Sequence, residues 1–355
     1  MRILLTGHDG YIGTVLAPIL QDAGHDVTGL DAGLFAACEF GRQPPAPPSR
    51  RLDVRDARVM DVAGFDAVVH LADLPGGAVG GLGPGLAGRV TGAASVRLAA
   101  LAREAGVGRF VLASSCAVYG AAGADAVTEG APLRPGTAWG RAKAEAEAGV
   151  RALAGDGFSP VSLRNAAVYG VSPRLRLDLE VNNLTAWAVA TGAARAASDG
   201  APWRPLVHVE DASRAVLAVL EAPREAVHGE AFNVGREGET YQVRDLARVV
   251  GEEVPGSRVT PSGAPPPGPS CRVDFSKIAE RLPGWRPSWT VRDGVREVRD
   301  ALAGLRLTPA VFEGPRYSRA ARLRSLVESG RLSPDARWTS LADGPAPRLG
   351  QPVHA

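Results

Sequence analysis

Two short stretches of this chain carry residue types at spacings that chemistry requires. The first is GHDGYIG, in which Gly7, Gly10 and Gly13 follow the apolar run RILLT and precede a helix-like segment. Glycines so placed permit a tight turn at Gly7, close backbone approach to a pyrophosphate at Gly10, and close helix–sheet packing at Gly13. The following helix would begin near Tyr11 and Ile12, offering its unpaired N–H groups to phosphate oxygens. Asp31 ends the next strand-like run, DVTGLD, where a carboxylate accepts hydrogen bonds from adenosine ribose hydroxyls and repels a 2′-phosphate, favouring NAD over NADP. The second stretch is TAWGRAKAEAE, residues 137–147. Trp139 and Lys143 are four apart, so a helix presents them on one face. The chain has only two lysines, Lys143 and Lys277, among forty basic residues. A lysine in so arginine-rich a chain suggests that a compact ammonium is wanted there, although two residues are also compatible with chance.

The elements that must position these groups alternate along the first half of the chain. RILLTG (2–7), DVTGLD (26–31), RRLDV (50–54), DAVVHLA (66–72) and RFVLASS (109–115) read as strands, with helices around 12–23 and 90–105. This order predicts an α/β fold, a Rossmann-type doubly wound parallel sheet. The glycine-rich loop LPGGAVGGLGPGLAG (74–88) reads as either a mobile ligand-side loop or a plain connector. VSLRNAAVYG (161–170) gives another strand and its exit loop, and PLVHVEDASRAVLAVLEA (205–222) a strand and helix with Asp211 as the expected N-cap. The resulting division is a nucleotide-binding domain over 1–168 with a returning segment 205–234. A smaller C-terminal substrate-binding lobe comprises 169–204 and 235–303, including a proline-rich loop at 263–270. A helical extension spans 304–355. PRYSRAARLRSLVESG (315–330) is a basic amphipathic helix, read as solvated or packed on the lobe, with partner binding as a lesser option.

Composition sets the outer bounds. The 355 residues are 45% hydrophobic and 22% charged, and 40 basic residues face 38 acidic ones, a balance that lends no support to nucleic-acid or anionic-membrane binding. No apolar run has the length of a membrane helix, and the N-terminus enters a strand directly, so a cytoplasmic setting is expected. Cys38, Cys116 and Cys271 are widely spaced and odd in number, which predicts neither a disulfide framework nor a metal site.

With these motifs in order, the chain from residue 1 to about 303 resembles the extended short-chain dehydrogenase/reductases, the NAD-dependent nucleotide-sugar epimerases and dehydratases. The resemblance rests on TGHDGYIG, Asp31, LDVRD, HLAD, SSCAVYG, WGRAKAEAE, LRNAAVYG, NNL, WRPLVHVED and RVDFSKI. It implies NAD as cofactor, with Asp53 and Val54 against the adenine. Leu71, Ala72 and Asp73 would lie along the pyrophosphate and ribose path, and Lys143 on the nicotinamide ribose. It implies a serine, a tyrosine and a lysine as the catalytic set. The phenolate takes a hydroxyl proton while hydride passes to the nicotinamide, the lysine lowers the phenol's pKa, and the serine orients the hydroxyl. The serine maps to Ser115 and the lysine to Lys143. The tyrosine maps to Trp139, whose indole offers one N–H donor and cannot accept that proton. No tyrosine occurs elsewhere between 121 and 168, so a shift of register does not supply one.

Further departures follow. Cys116-Ala117 stands where the family's 4,6-dehydratases carry Asp-Glu, which speaks against that reaction. Arg89 occupies a position where the family often has asparagine, and Ala167 replaces another frequent asparagine. Asn183, Arg204 and Arg272 are the substrate anchors that the resemblance leaves, with Arg89 beside them. Candidates for the missing proton-transfer group are Cys116, Tyr169, Asp73, His70 and Lys143 itself. Cys116 works as a thiol acid/base only if its pKa is lowered, and is otherwise a small buried residue. Three functions are compatible with this set. The chain is an NAD-dependent epimerase or oxidoreductase acting on a sugar or nucleotide-sugar with atypical acid–base residues, a non-redox epimerase acting on a preformed ketosugar, or a silent NAD-binding partner protein. The resemblance also implies a homodimer formed through the lysine helix.

Overall fold

A computed structural model describes residues 1–74, 82, 85–122, 125–196, 200–261 and 270–340. Most of the glycine-rich stretch at 74–88 and most of the proline-rich loop at 263–270 lie outside the described residues. The central sheet has seven strands: β1 (Arg2–Thr6), β2 (Asp26–Asp31), β3 (Ser49–Arg51), β4 (Ala67–His70), β5 (Arg109–Ser115), β6 (Ser159–Asn165) and β7 (Ala231–Val234). They lie in the order β7-β6-β5-β4-β1-β2-β3, and every neighbouring pair is parallel. The strand order reverses between β1 and β4, so the carboxyl ends of these two strands open the crevice where such sheets take ligands.

Why the inner strands read as unbroken apolar runs is visible in their neighbours. Ile3, Leu5, Val69 and Val111 face one layer, with Leu16, Leu20, Val216 and Val219 of helices α1 (Gly13–Asp22) and Val209–Glu221. Leu4, Val68, Phe110 and Leu112 face the other, with Leu98 and Ala102 of α2 (Ala94–Glu104) and Ala146 and Val150 of α3 (Ala138–Arg151). A sheet covered on both faces buries most residues of its inner strands, and each large apolar side chain so buried stabilises by about 1.5–3 kcal/mol.

Three local expectations are corrected. The third strand is only Ser49–Arg51, because the Asp53 side chain accepts the Arg55 N–H and turns the chain into a 3-10 helix at Val54–Asp56. The helix expected over 90–105 begins with a π turn at Gly88–Ala93 before α2. Asp211 does not cap the helix at Val209–Glu221. His208 does, through its ring, while the Asp211 carboxylate accepts the Ser288 and Trp289 N–H groups at 3.0 Å each.

The smaller lobe is built on a three-stranded sheet of Ala167–Tyr169, Trp203–His208 and Thr240–Gln242, with Trp203–His208 in the middle. Helices Glu180–Thr191, Val243–Glu253 and Val291–Leu302 pack around Leu184, Leu206, Leu246, Val250 and Val295. Helix α4 (Arg319–Glu328) then returns to the side of the seven-stranded sheet. Its Leu323 and Leu326 join Leu34, Leu74, Leu86 and Val90, so the basic helix expected on the lobe or in solvent lies across the loops that follow β2 and β4. No helix among the described residues is long and apolar enough to cross a membrane.

Candidate active site

A cleft of about 1090 Å³ runs along the carboxyl ends of β1, β2, β4 and β5 and continues to the smaller lobe. Gly7, Gly10, Tyr11, Ile12 and Gly13 line its floor. Gly7 has φ +75°, and a Cβ there would stand 2.7 Å from the Ala72 nitrogen, so only glycine serves. A Cβ on Gly13 would meet the Gly7 carbonyl oxygen at 2.2 Å and the His8 Cα at 2.6 Å. The tight packing at Gly13 is therefore against the glycine loop itself rather than against the sheet. Asp31 sits at the end of β2 and accepts the Gly33 N–H at 2.7 Å and the Asp9 N–H at 3.3 Å. Burial pushes its pKa up. Asp53, Val54, Leu71, Ala72 and Asp73 all line the same cleft. Burial favours the neutral form of Asp53, but the hydrogen bonds and charge of Arg55 outweigh it and hold the carboxyl below its usual range. A strand, a glycine cradle without side chains, a helix start and an acid after the next strand are what a dinucleotide needs, and they meet here.

The other end of the cleft is set by α3. Thr137 accepts the Gly140 N–H at 3.0 Å and caps the helix, and an alanine-rich sequence carries it onward. Trp139, Lys143 and Glu147 follow at four-residue intervals and so form one stripe facing β5. Lys143 is buried and donates to the Ala113 carbonyl at 2.7 Å. It also lies 2.9 Å from Asp73 Oδ2, the same oxygen that accepts the Trp139 indole N–H at 2.9 Å. The Thr91 hydroxyl donates to the other Asp73 oxygen. The Lys143 ammonium lies 5.6 Å from the centre of the Trp139 ring. One carboxylate thus gathers an indole, an ammonium and a hydroxyl inside the cleft. Glu147 continues the stripe into the core, where it accepts from Ser114 and pairs with Arg164 at 2.7 Å.

The other candidates divide. Ser115 lines the cleft, its hydroxyl oxygen accepting the Ala117 N–H at 3.1 Å. Cys116 lines it too but is buried, donates to the Arg164 carbonyl, and has its thiol pKa pushed up by burial and by Cys271. Tyr169 is outside the cleft lining, packed edge-on to His208 and with its phenol pKa raised by burial. His70 is locked between Thr6 and Ser95, at 2.7 and 2.8 Å, and burial, helped by Lys143, lowers its pKa to about 3. Arg204 lines the cleft and pairs with Glu180 at 2.8 Å. Asn183 turns to the Leu177 carbonyl at 2.7 Å, Arg272 lies over the Trp203 ring, and Arg89 pairs with Asp335. None of these last three lines the cleft.

The sequence reading missed several cleft residues. Arg55, Arg176 and Glu180 line it, as do Arg319 and Ala336 from the C-terminal extension. Arg55 stood in the LDVRD motif and Arg176 in the charge-dense run RLRLDLE, so composition marked both. Arg319 had no motif around it. Among the described residues, no group of three or more His, Cys, Asp or Glu side chains is arranged to hold a metal.

Comparison with known proteins agrees with this geometry. Residues 3–235 match the model of the NAD dependent epimerase/dehydratase family. A UDP-glucose 4-epimerase of Azospirillum brasilense is 30% identical over 333 residues, covering 85% of this chain and 91% of that protein. A UDP-glucose 4-epimerase of Corynebacterium glutamicum is 29% identical over 312 residues, covering 82% and 92%. Among solved structures, MoeE5 in complex with UDP-glucuronic acid and NAD superposes with a TM-score of 0.71 at 26% identity, over 85% of this chain and 98% of that one.

Proposed function

Because the chain belongs to the NAD dependent epimerase/dehydratase family, whose members use NAD, we propose that it acts on a nucleotide-sugar, with Asp73 and Lys143 taking over the proton work of the phenol that Trp139 displaces. The observation that carries this reading is the convergence of Trp139, Lys143 and Thr91 on the Asp73 carboxylate. Bound NAD supplies a hydride acceptor that can return what it takes. The chain's own residues then handle the proton. The Asp73 carboxylate accepts it from a substrate hydroxyl; Lys143 and Trp139 hold that carboxylate in place; and Ser115 orients the hydroxyl. Cys116 and Tyr169 are poor alternatives, since burial raises both pKa values and keeps the groups protonated.

Epimerisation or oxidation suits this set better than 4,6-dehydration, which needs acid–base groups where Cys116 and Ala117 stand. Relatives that act on UDP-glucose and a neighbour solved with UDP-glucuronic acid support a nucleoside diphosphate sugar as the substrate class. Arg204 and Arg176, both in the cleft, supply cations for its diphosphate. A homodimer through α3 and a cytoplasmic setting go with this reading.

A carboxylate is a weaker base than a phenolate, which gives a second reading: a substrate that already carries a ketone is epimerised through an enolate, and no alcohol is oxidised. The test uses a panel of UDP- and dTDP-sugars with NAD in deuterated water. Sugar turnover that is lost in Asp73→Asn while NADH affinity is kept supports the proposal. Deuterium entering a ketosugar without oxidation of alcohols supports the second reading. Full turnover in Asp73→Asn removes Asp73 from the mechanism.

A further inference from the structure

The adenosine end of the cleft is closed by the C-terminal extension, outside the stretch that the family model matches. The extension is pinned there from several sides. Trp338 donates its indole N–H to the Ala32 carbonyl at 2.7 Å, just past Asp31. Arg55, already paired with Asp53, donates to the carbonyls of Asp335 and Ala336 at 2.8 and 3.1 Å. Arg337 reaches Asp56 at 2.6 Å.

Within this fixed segment Arg319 is unusual. It is the first residue of α4, is only 2% exposed, and lies over the Phe35 ring at 4.9 Å. One guanidinium nitrogen, Nη2, donates to the Arg174 carbonyl at 2.7 Å. The other, Nη1, is buried and has no hydrogen-bond partner. Arg174 in turn holds Asp9, inside the glycine loop, and Arg319 itself lines the cleft. A buried guanidinium with an unmade bond is costly in isolation, and an arginine fork is well matched to phosphate oxygens. The neighbouring charges are mixed: Arg174 and Arg176 add positive charge, and Asp178, which accepts the Arg319 backbone N–H, is already paired with Arg176.

We propose that Arg319 completes the cofactor's diphosphate site from the C-terminal extension, its Nη1 donating to a phosphate oxygen of the bound dinucleotide. This rests on the NAD reading above. The extension is thus part of the binding site, adding a cation where the glycine loop supplies only backbone N–H groups.

The test measures affinity on the full chain, with no turnover required. NADH is titrated by fluorescence and ADP by calorimetry into wild type, Arg319→Gln and Arg322→Gln. Arg322 is on the same helix, bonds the Leu34 carbonyl and does not line the cleft, so its loss controls for a disturbed tail. The expected result is a fall of about 10–100-fold in NADH and ADP affinity for Arg319→Gln, the size of a charge-assisted hydrogen bond, with Arg322→Gln near wild type. Unchanged ADP affinity in a folded Arg319→Gln overturns the role of Arg319 and leaves the cofactor reading standing. A wild-type chain that binds neither NADH nor NAD overturns both. Should Arg319→Gln fail to fold, a crystal structure of wild type with NADH decides: a phosphate oxygen in hydrogen-bond reach of Nη1 supports the proposal, and a greater separation overturns it.

Discussion

Asp73 and Lys143 form a 2.9 Å ion pair with both side chains largely shielded from solvent, and the same Asp73 oxygen accepts the Trp139 indole N–H. Asp73 was one of five candidates for the missing group. The geometry sets it apart: of the five, only Asp73 and Lys143 both line the cleft and lie against Trp139.

Replacing Trp139 by tyrosine places a phenol four residues before Lys143. The Trp139→Tyr variant is expected to oxidise sugar-nucleotide alcohols at least about tenfold faster than wild type, within the range that a positioned acid–base group contributes. Reduction of NAD followed by absorbance measures this. A variant no faster than wild type, with its NAD affinity intact, would show that the proton path does not pass through position 139.

The Glu147–Arg164 pair is a separate, structural use of the same helical stripe. Burial opposes the charge of Arg164, but the hydrogen bonds and charge of Glu147 outweigh it and raise the guanidinium pKa. Glu147→Met leaves that charge without its counter-ion and is expected to cost about 3–5 kcal/mol in urea unfolding. The double variant with Arg164→Met is expected to recover part of the loss, since it removes the stranded charge as well.

His70 makes stability fall in acid. Its folded pKa is about 3, below the ordinary value of 6.5, so the unfolded chain binds the proton first. The stabilisation is complete above about pH 6.5 and is lost as pH drops toward 3, by at most about 1.4 kcal/mol per pH unit. Chemical denaturation of wild type and His70→Asn at pH 7, 6 and 5 isolates the effect. Wild type is expected to lose stability more steeply over this interval, and parallel slopes would mean that His70 titrates alike in both states.

The sheet was readable because strands buried on both faces leave unbroken apolar runs, and DVTGLD and RFVLASS have the same limits in sequence and structure. RRLDV was overread because its apolar pattern continues past the point where the Asp53 side chain captures the Arg55 N–H and ends the strand. That Gly7, Gly10, Gly13 and Asp31 meet at one cleft was readable for a similar reason, since glycine spacing and the position of Asp31 are local. What Asp73 touches was not readable. Its partners are 18, 66 and 70 positions away, and sequence spacing does not show that Thr91, Trp139 and Lys143 meet on one carboxylate. Nor was Arg319, because amphipathic spacing marks a helix without saying what it covers. Asn183 illustrates the converse: it sits in a recognisable NNL motif, yet its amide turns to a nearby carbonyl.

The hydrogen bond from Trp338 to Ala32 joins positions 306 residues apart, and it bears on how the protein is made. A ribosome adding roughly 5–20 residues per second leaves the first strands and the glycine loop waiting on the order of 15–60 s for the helix that roofs them. During synthesis the cleft is therefore open at this end. A cofactor already seated when the segment carrying Trp338 arrives would be enclosed by it, which makes that segment a natural seal on a nascent holoprotein.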